Sequence, residues 1–184
     1  KENGYKLKLD SQRERNDLEI FEGNAQGFRV VSTTENHYKN GGLRLTYATL
    51  GTLMKYPWFS DHALATSKGK FNFFHSEQDI VENIASELGL MRVGKNQYSR
   101  HPLSYLMEAA DDICYKILDI EDALELDMLR FDEVSGIFNK LAGNKSAYSS
   151  DINENYSGRR RINNLRSMAI ENLINNCSEI FFSN

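Results

Sequence analysis

Asp111, Tyr115 and Asp119 are spaced i, i+4, i+8 in the stretch EAADDICYKILD, Glu108 to Asp119. On a helix this spacing stacks them along one side over two turns. Carboxylate oxygens suit a hard cation, so Asp111 is a candidate metal ligand. One turn on, Tyr115 offers an aromatic plate. A further turn on, Asp119 can accept a hydrogen bond from a ligand hydroxyl. Asp112 points about 100° away around the same helix and is the weaker ligand candidate. The plainer reading is a solvated acidic face made by Glu108, Asp111, Asp112, Asp119, Glu121 and Asp122. Charge runs on helices are usually solvated, and spacing alone favours that reading.

The element that must carry these residues is the longest periodic pattern in the chain. It starts at Pro102 and runs to about Asp127, with Leu103, Leu106, Ala110, Ile113, Ile117, Ile120 and Leu124 at alternating steps of three and four. This predicts a helix with a continuous buried stripe and the acidic residues at its border. Other helices are expected over Arg13–Ser32, Leu43–Tyr56 (stopped by Pro57), the segment after Ser76 to Gly89, Phe131–Leu141 and Arg161–Phe182. Ser76 and Asp79 approximate a capping box, and Gly89 ends that helix. Gly23 and Gly27 suggest either close backbone approach by a helix or ligand, or a frayed helix. WFSDHALATSKGKFNFF reads as a loop, with a small hairpin around Gly69, Phe71 and Phe73. The stretch 142–158, rich in Ser, Asn and Gly, reads as a loop. The sum is an all-α chain, residues 1–184 forming one helical region.

Composition sets the outer limits. The 184 residues are 40% hydrophobic and 26% charged with a net charge of −4, which fits a globular chain and disfavours a dedicated nucleic-acid binder. Cys114 and Cys177 alone make neither a disulfide framework nor a zinc site, and the expectation is a reduced, cytoplasmic protein. No run approaches the ~18 apolar residues of a membrane span, and no signal-peptide core opens the chain. No Gly-rich phosphate loop of the Walker or dinucleotide type occurs.

The segment RHPLSYLMEAADDICYKILDIEDA, Arg100 to Ala123, resembles the signature helix of bacterial dGTPases and dGTPase-like proteins. FEGNAQGFRVV (21–31) and LRLTYATLGTLMKYPW (43–58) resemble two further blocks of that family, in the same order. FNFFHSEQDI (71–80) and RINNLRSMAIENLI (161–174) resemble it as well. The resemblance implies an HD-domain-like helical bundle and hydrolysis of a dNTP, dGTP foremost, to deoxynucleoside and inorganic triphosphate. It implies a divalent metal (magnesium, manganese or iron) with Asp111 as one ligand, Tyr115 against the deoxyribose and Asp119 on the 3′-hydroxyl. It also implies a phosphate contact for Asn24 and Lys55, with Arg29 a weaker candidate. Asn24 is otherwise an ordinary helix polar residue, and Lys55 is otherwise explained by the helix dipole. Further implied partners are a nucleotide effector or single-stranded DNA, for which Arg159, Arg160, Arg161 and Arg166 are the cationic candidates, and copies of the chain in a homo-oligomer.

The sequence departs from the family in its metal ligands. It contains no His-Asp dipeptide; His62 follows Asp61 in the reverse order, and His37, His75 and His101 are isolated. None is taken as a ligand: lone loop histidines are more often surface residues, and His101 is read as structural. The family's His and His-Asp ligands lie upstream of FEGNAQ. The expectation is therefore a segment of a longer enzyme, inactive by itself. The alternative is a non-catalytic helical module for nucleotide binding or oligomerisation derived from that family.

Overall fold

The computed structural model describes residues 11–36, 42–143 and 158–183. It is mainly helical, as the periodicity predicts, and its contacts divide it into two compact units, Lys1–Tyr105 and Leu106–Asn184. No helix of the described residues is long and apolar enough to cross a membrane.

In the first unit, the single helix expected over 13–32 is two. α1 (Gln12–Glu19) opens on a capping box between Ser11 and Glu14 and ends at Ile20, whose backbone is extended. α2 (Gly23–Arg29) starts afresh and runs into a π-helical turn, Val30–Thr34. The break is made by Glu22, whose buried carboxylate accepts from the backbone N–H groups of Asn24 and Ala25. A side-chain cap is worth ~1 kcal/mol and fixes a helix start. Ala25 and Phe28 enter the core while Leu18 and Phe21 stay exposed, so the apolar period across the break is coincidental. A Cβ added at Gly23 or Gly27 would meet nothing within 4 Å, so no neighbouring described helix approaches closely there.

α3 is short, Tyr47–Thr52, capped by Thr46 and finished well before Pro57. The expected loop at 58–74 contains α4 (Ala63–Lys68), with His62 capping its start and Gly69 at φ +62° closing it. No hairpin forms around Gly69. Phe71, Phe73 and Phe74 are all buried, and Phe73 pairs with Phe59 in a parallel bridge. These aromatic residues face the core on consecutive positions, which a half-exposed hairpin does not allow.

A 3₁₀ turn (His75–Glu77) leads into α5 (Gln78–Glu87). Ser76 does not cap it: its hydroxyl donates to Glu77 and accepts from Arg29. Gly89 ends the helix as expected, at φ +65°, with Gly89 N–H on the Ser86 carbonyl and Leu90 N–H on that of Ala85. Beyond it a small two-stranded antiparallel sheet forms from β1 (Arg92–Gly94) and β2 (Gln97–Tyr98). One core cluster gathers Phe28, Leu50, Met54, Phe59, Phe73, Val81 and Ile84. A second gathers Ala25, Trp58, Ala65, Phe71 and Phe74.

α6 spans Leu103–Glu125, close to the expected bounds, and His101 Nδ1 accepts from the Leu103 N–H at its start. In the second unit its stripe is only partly covered: Ile117 is buried, Ile113, Ile120 and Leu124 are half-buried, and Ala110 is exposed. α7 (Phe131–Leu141) and α8 (Gly158–Ser183) pack on one another and supply Val134, Phe138, Ile162 and Ala169 to this core. Met168 is half-buried outside the cluster.

Candidate functional site

The polar centre of the first unit lies under Asn24. The Asn24 side-chain amide donates to Glu22 Oε1 at 3.0 Å, and Lys70 Nζ donates to the same oxygen at 2.9 Å. That bond and the charge on Glu22 raise the Lys70 pKa. Beside them Asn72, fully buried, donates to the carbonyls of Leu53 (3.1 Å) and Asn24 (3.4 Å) and accepts from the Tyr56 N–H at 2.8 Å. Asn72 thus ties the backbone of Asn24 to both flanks of Lys55. The two phosphate candidates of this unit are held in one frame by one side chain.

Lys55 itself lies beyond the C-terminal end of α3, its backbone N–H on the Leu53 carbonyl and its ammonium 5.8 Å from the Tyr56 ring. It is not in a last helical turn, so the dipole account of this lysine falls away. Arg29 is occupied. Its guanidinium binds buried Glu77 at 2.9 Å, donates to Ser76 and lies 4.1 Å over the Phe74 ring. Glu22, Lys70 and Asn72 were missed by sequence reasoning. The signal available was a lone amide, Asn72, inside an aromatic run.

The histidines divide by role. His62 caps α4 and His101 caps α6. His37 lies outside the described residues. His75 is largely buried, contrary to its reading as a surface residue. Its ring stacks 5.3 Å from Phe59, and Nδ1 lies 3.1 Å from Asp17 Oδ1. Nε2 lies 3.4 Å from Asp61 Oδ1 but is not aligned for a hydrogen bond. Asp61 in turn accepts from Asn96 at 3.0 and 2.9 Å. Burial pulls the Asp17 carboxyl upward, but hydrogen bonds from the His75 side chain, Ser60 and the His75 N–H outweigh it and hold the pKa below the usual value.

In the second unit, Asp111, Tyr115 and Asp119 follow one another along the exposed side of α6, with Tyr115 62% exposed. They do not border a closed apolar stripe. The lower acidic residues of the same helix have another use. Glu121 accepts from Arg166 at 2.7 Å and Glu125 from Arg159 at 2.8 and 2.9 Å, so these four residues join α6 to α8. Among the described residues no three His, Cys, Asp or Glu side chains converge on a point that could hold a metal ion.

Comparison with known proteins finds relatives over most of the chain. A deoxyguanosinetriphosphate triphosphohydrolase-like protein of Pseudomonas aeruginosa is 46% identical over 180 residues, 93% of this chain. A protein of the same name from Synechocystis is 37% identical over 91% of the chain. The deoxyguanosinetriphosphate triphosphohydrolase of Yersinia enterocolitica is 35% identical over 73% of it. No family model matches the chain. By sequence, these 184 residues belong to the deoxyguanosinetriphosphate triphosphohydrolase-like family. The chain spans 39% of the length of the Pseudomonas and Synechocystis relatives.

Proposed function

We propose that the protein hydrolyses a deoxynucleoside triphosphate, dGTP foremost, to the deoxynucleoside and inorganic triphosphate. The observation that carries this reading is 46% identity over 93% of the chain to a relative of that name. Within it the roles divide by chemistry. One N–H of the Asn24 amide is spent on Glu22, and the second remains to donate to a phosphate oxygen. Lys55 adds positive charge toward the triphosphate as negative charge develops there in the transition state. The exposed ring of Tyr115 packs against the sugar and fills the space of a 2′-hydroxyl. Asp119 accepts from the 3′-hydroxyl. Asp111 contributes one oxygen to a divalent ion in an HD-type site. The described residues alone do not complete that site.

The test uses the intact protein with dGTP and the other dNTPs, and a product assay that separates triphosphate from pyrophosphate. Triphosphate release is expected, and Asp111→Ala is expected to reduce it to background. Wild-type turnover in that variant overturns the assignment of Asp111. Release of pyrophosphate overturns the reaction.

A further inference from the structure

Glu22 is only 1% exposed, and both oxygens of its carboxylate are engaged. Oε2 accepts from the backbone N–H groups of Asn24 and Ala25. Oε1 accepts from the Asn24 side-chain amide at 3.0 Å and from Lys70 Nζ at 2.9 Å. A helix start needs only the first pair. Serine, threonine or asparagine caps a helix without burying a charge, so burial of this carboxylate calls for a further use.

An ionised carboxylate only accepts hydrogen bonds, whereas an asparagine side chain can turn either its oxygen or its nitrogen toward a neighbour. Glu22 removes that choice. Facing Oε1, the Asn24 amide must present Nδ2, and its second N–H is left as a donor. Among the described residues the amide makes no other hydrogen bond. The backbone of Asn24 is fixed as well, its N–H by Glu22 and its carbonyl by Asn72. Asn24 is half-buried, and a Cβ added at its exposed neighbour Gly23 would meet nothing within 4 Å, so space beside the amide is open. Lys70, half-exposed, neutralises the carboxylate from the solvent side.

We propose that Glu22 is a positioning residue for phosphate binding: it orients the Asn24 amide so that a donor, and not an acceptor, meets the phosphate oxygen. The inference rests on the phosphate contact proposed for Asn24 and names what fixes that contact. Buried as it is, Glu22 acts through Asn24 and does not itself reach the substrate. Glu22→Gln preserves its shape and removes its charge. With its oxygen kept on the backbone N–H groups of the cap, the new amide turns a donor toward Asn24, whose side chain then reverses. Reversal exchanges the two ends of the Asn24 amide. A carbonyl lone pair takes the place of the free N–H and opposes a phosphate oxygen.

The test is a double-mutant cycle on the intact protein, read by steady-state triphosphate release from dGTP. Asn24→Ala is expected to raise KM about tenfold or more, the loss of a hydrogen bond to a charged group, with a smaller effect on kcat. Glu22→Gln is expected to do the same. The double variant should match Asn24→Ala alone to within about threefold, because Glu22 acts through that amide. A merely structural role would weaken binding in either background, and the two effects would multiply to about a hundredfold. That product overturns the proposal, as does a wild-type KM in Glu22→Gln. If Glu22→Gln does not fold, Glu22→Asp takes its place in the cycle. Aspartate is a good cap but one methylene shorter, so the start of α2 is kept, the reach to Nδ2 is lost and the same non-additivity is expected. A wild-type KM in Asn24→Ala removes the phosphate contact and the proposal with it. No triphosphate release by the wild-type protein refutes the reaction itself, a failure seen before any variant is made and so distinct from failure of the cycle.

Discussion

Replacing Asn72 with Ala removes the side chain that frames the first unit's polar centre. Three hydrogen bonds go: the amide to the Leu53 and Asn24 carbonyls, at 3.1 and 3.4 Å, and the Tyr56 N–H to Oδ1, at 2.8 Å. They are not equivalent. The Leu53 carbonyl keeps a second partner in the Lys55 N–H, so its loss is the ordinary ~1 kcal/mol of one net hydrogen bond. The 3.4 Å bond to Asn24 is worth about half of that. The Tyr56 N–H loses its side-chain acceptor in a part-buried setting, and an orphaned donor there costs about 1–3 kcal/mol. The sum is about 3 kcal/mol, more than a hundredfold in the folding equilibrium. Urea denaturation of the intact protein measures it as a lower midpoint at unchanged slope. If Asn24 and Lys55 contact phosphate, KM for a dNTP should rise in the same variant, since both lose their common tie. A destabilisation below about 1 kcal/mol, the size expected of a surface substitution, refutes the argument that Asn72 organises this centre.

The other expectations are smaller in scope. Asp17 has a lowered pKa in the folded state, so the native form holds fewer protons than the unfolded chain as pH falls. Its contribution to stability is present above the unfolded value near pH ~4 and is lost as pH falls through the folded one; Asp17→Asn should flatten the acid side of a stability–pH curve, and an unchanged acid limb would refute this. Gly89→Ala forces a side chain into φ +65° where no neighbour crowds it, so its cost should be backbone strain alone, about 1–2 kcal/mol by denaturant titration. Asp119→Ala should raise KM for dNTPs and weaken discrimination against ribonucleotides with a smaller effect on kcat; an unaltered KM speaks against a sugar contact.

Legibility from the sequence followed the range of the interactions. α7 was found at its observed ends and α6 within a few residues, because both depend on periodicity inside one segment. Gly89 was found because a left-handed residue closing a helix is a local requirement. The break between α1 and α2 was not. It depends on Glu22, whose carboxylate is buried against Lys70, 48 positions away. Separations of 48 and 58 positions likewise hid the pairing of Arg29 with Glu77 and the burial of His75 against Asp17. Lys55 was placed in a helix because Pro57 is the visible stop, whereas Asn72 receives the turning backbone earlier. Of the candidate site, the order along α6 was legible from spacing. The surroundings of Asp111, Tyr115 and Asp119 depend on packing, which spacing does not encode.

α1 contains no buried residue. Its attachments are the Ser60 hydroxyl and the His75 ring and N–H on Asp17, together with Arg13 near Asp61 at 3.6 Å. Releasing such a helix wets polar atoms and uncovers almost no hydrocarbon. Its opening therefore carries little heat capacity, unlike unfolding of the cores behind it. α1 is built to behave as a separate small folding unit, one whose amide exchange reports a handful of polar contacts and stays nearly insensitive to the hydrophobic stability of the rest of the chain.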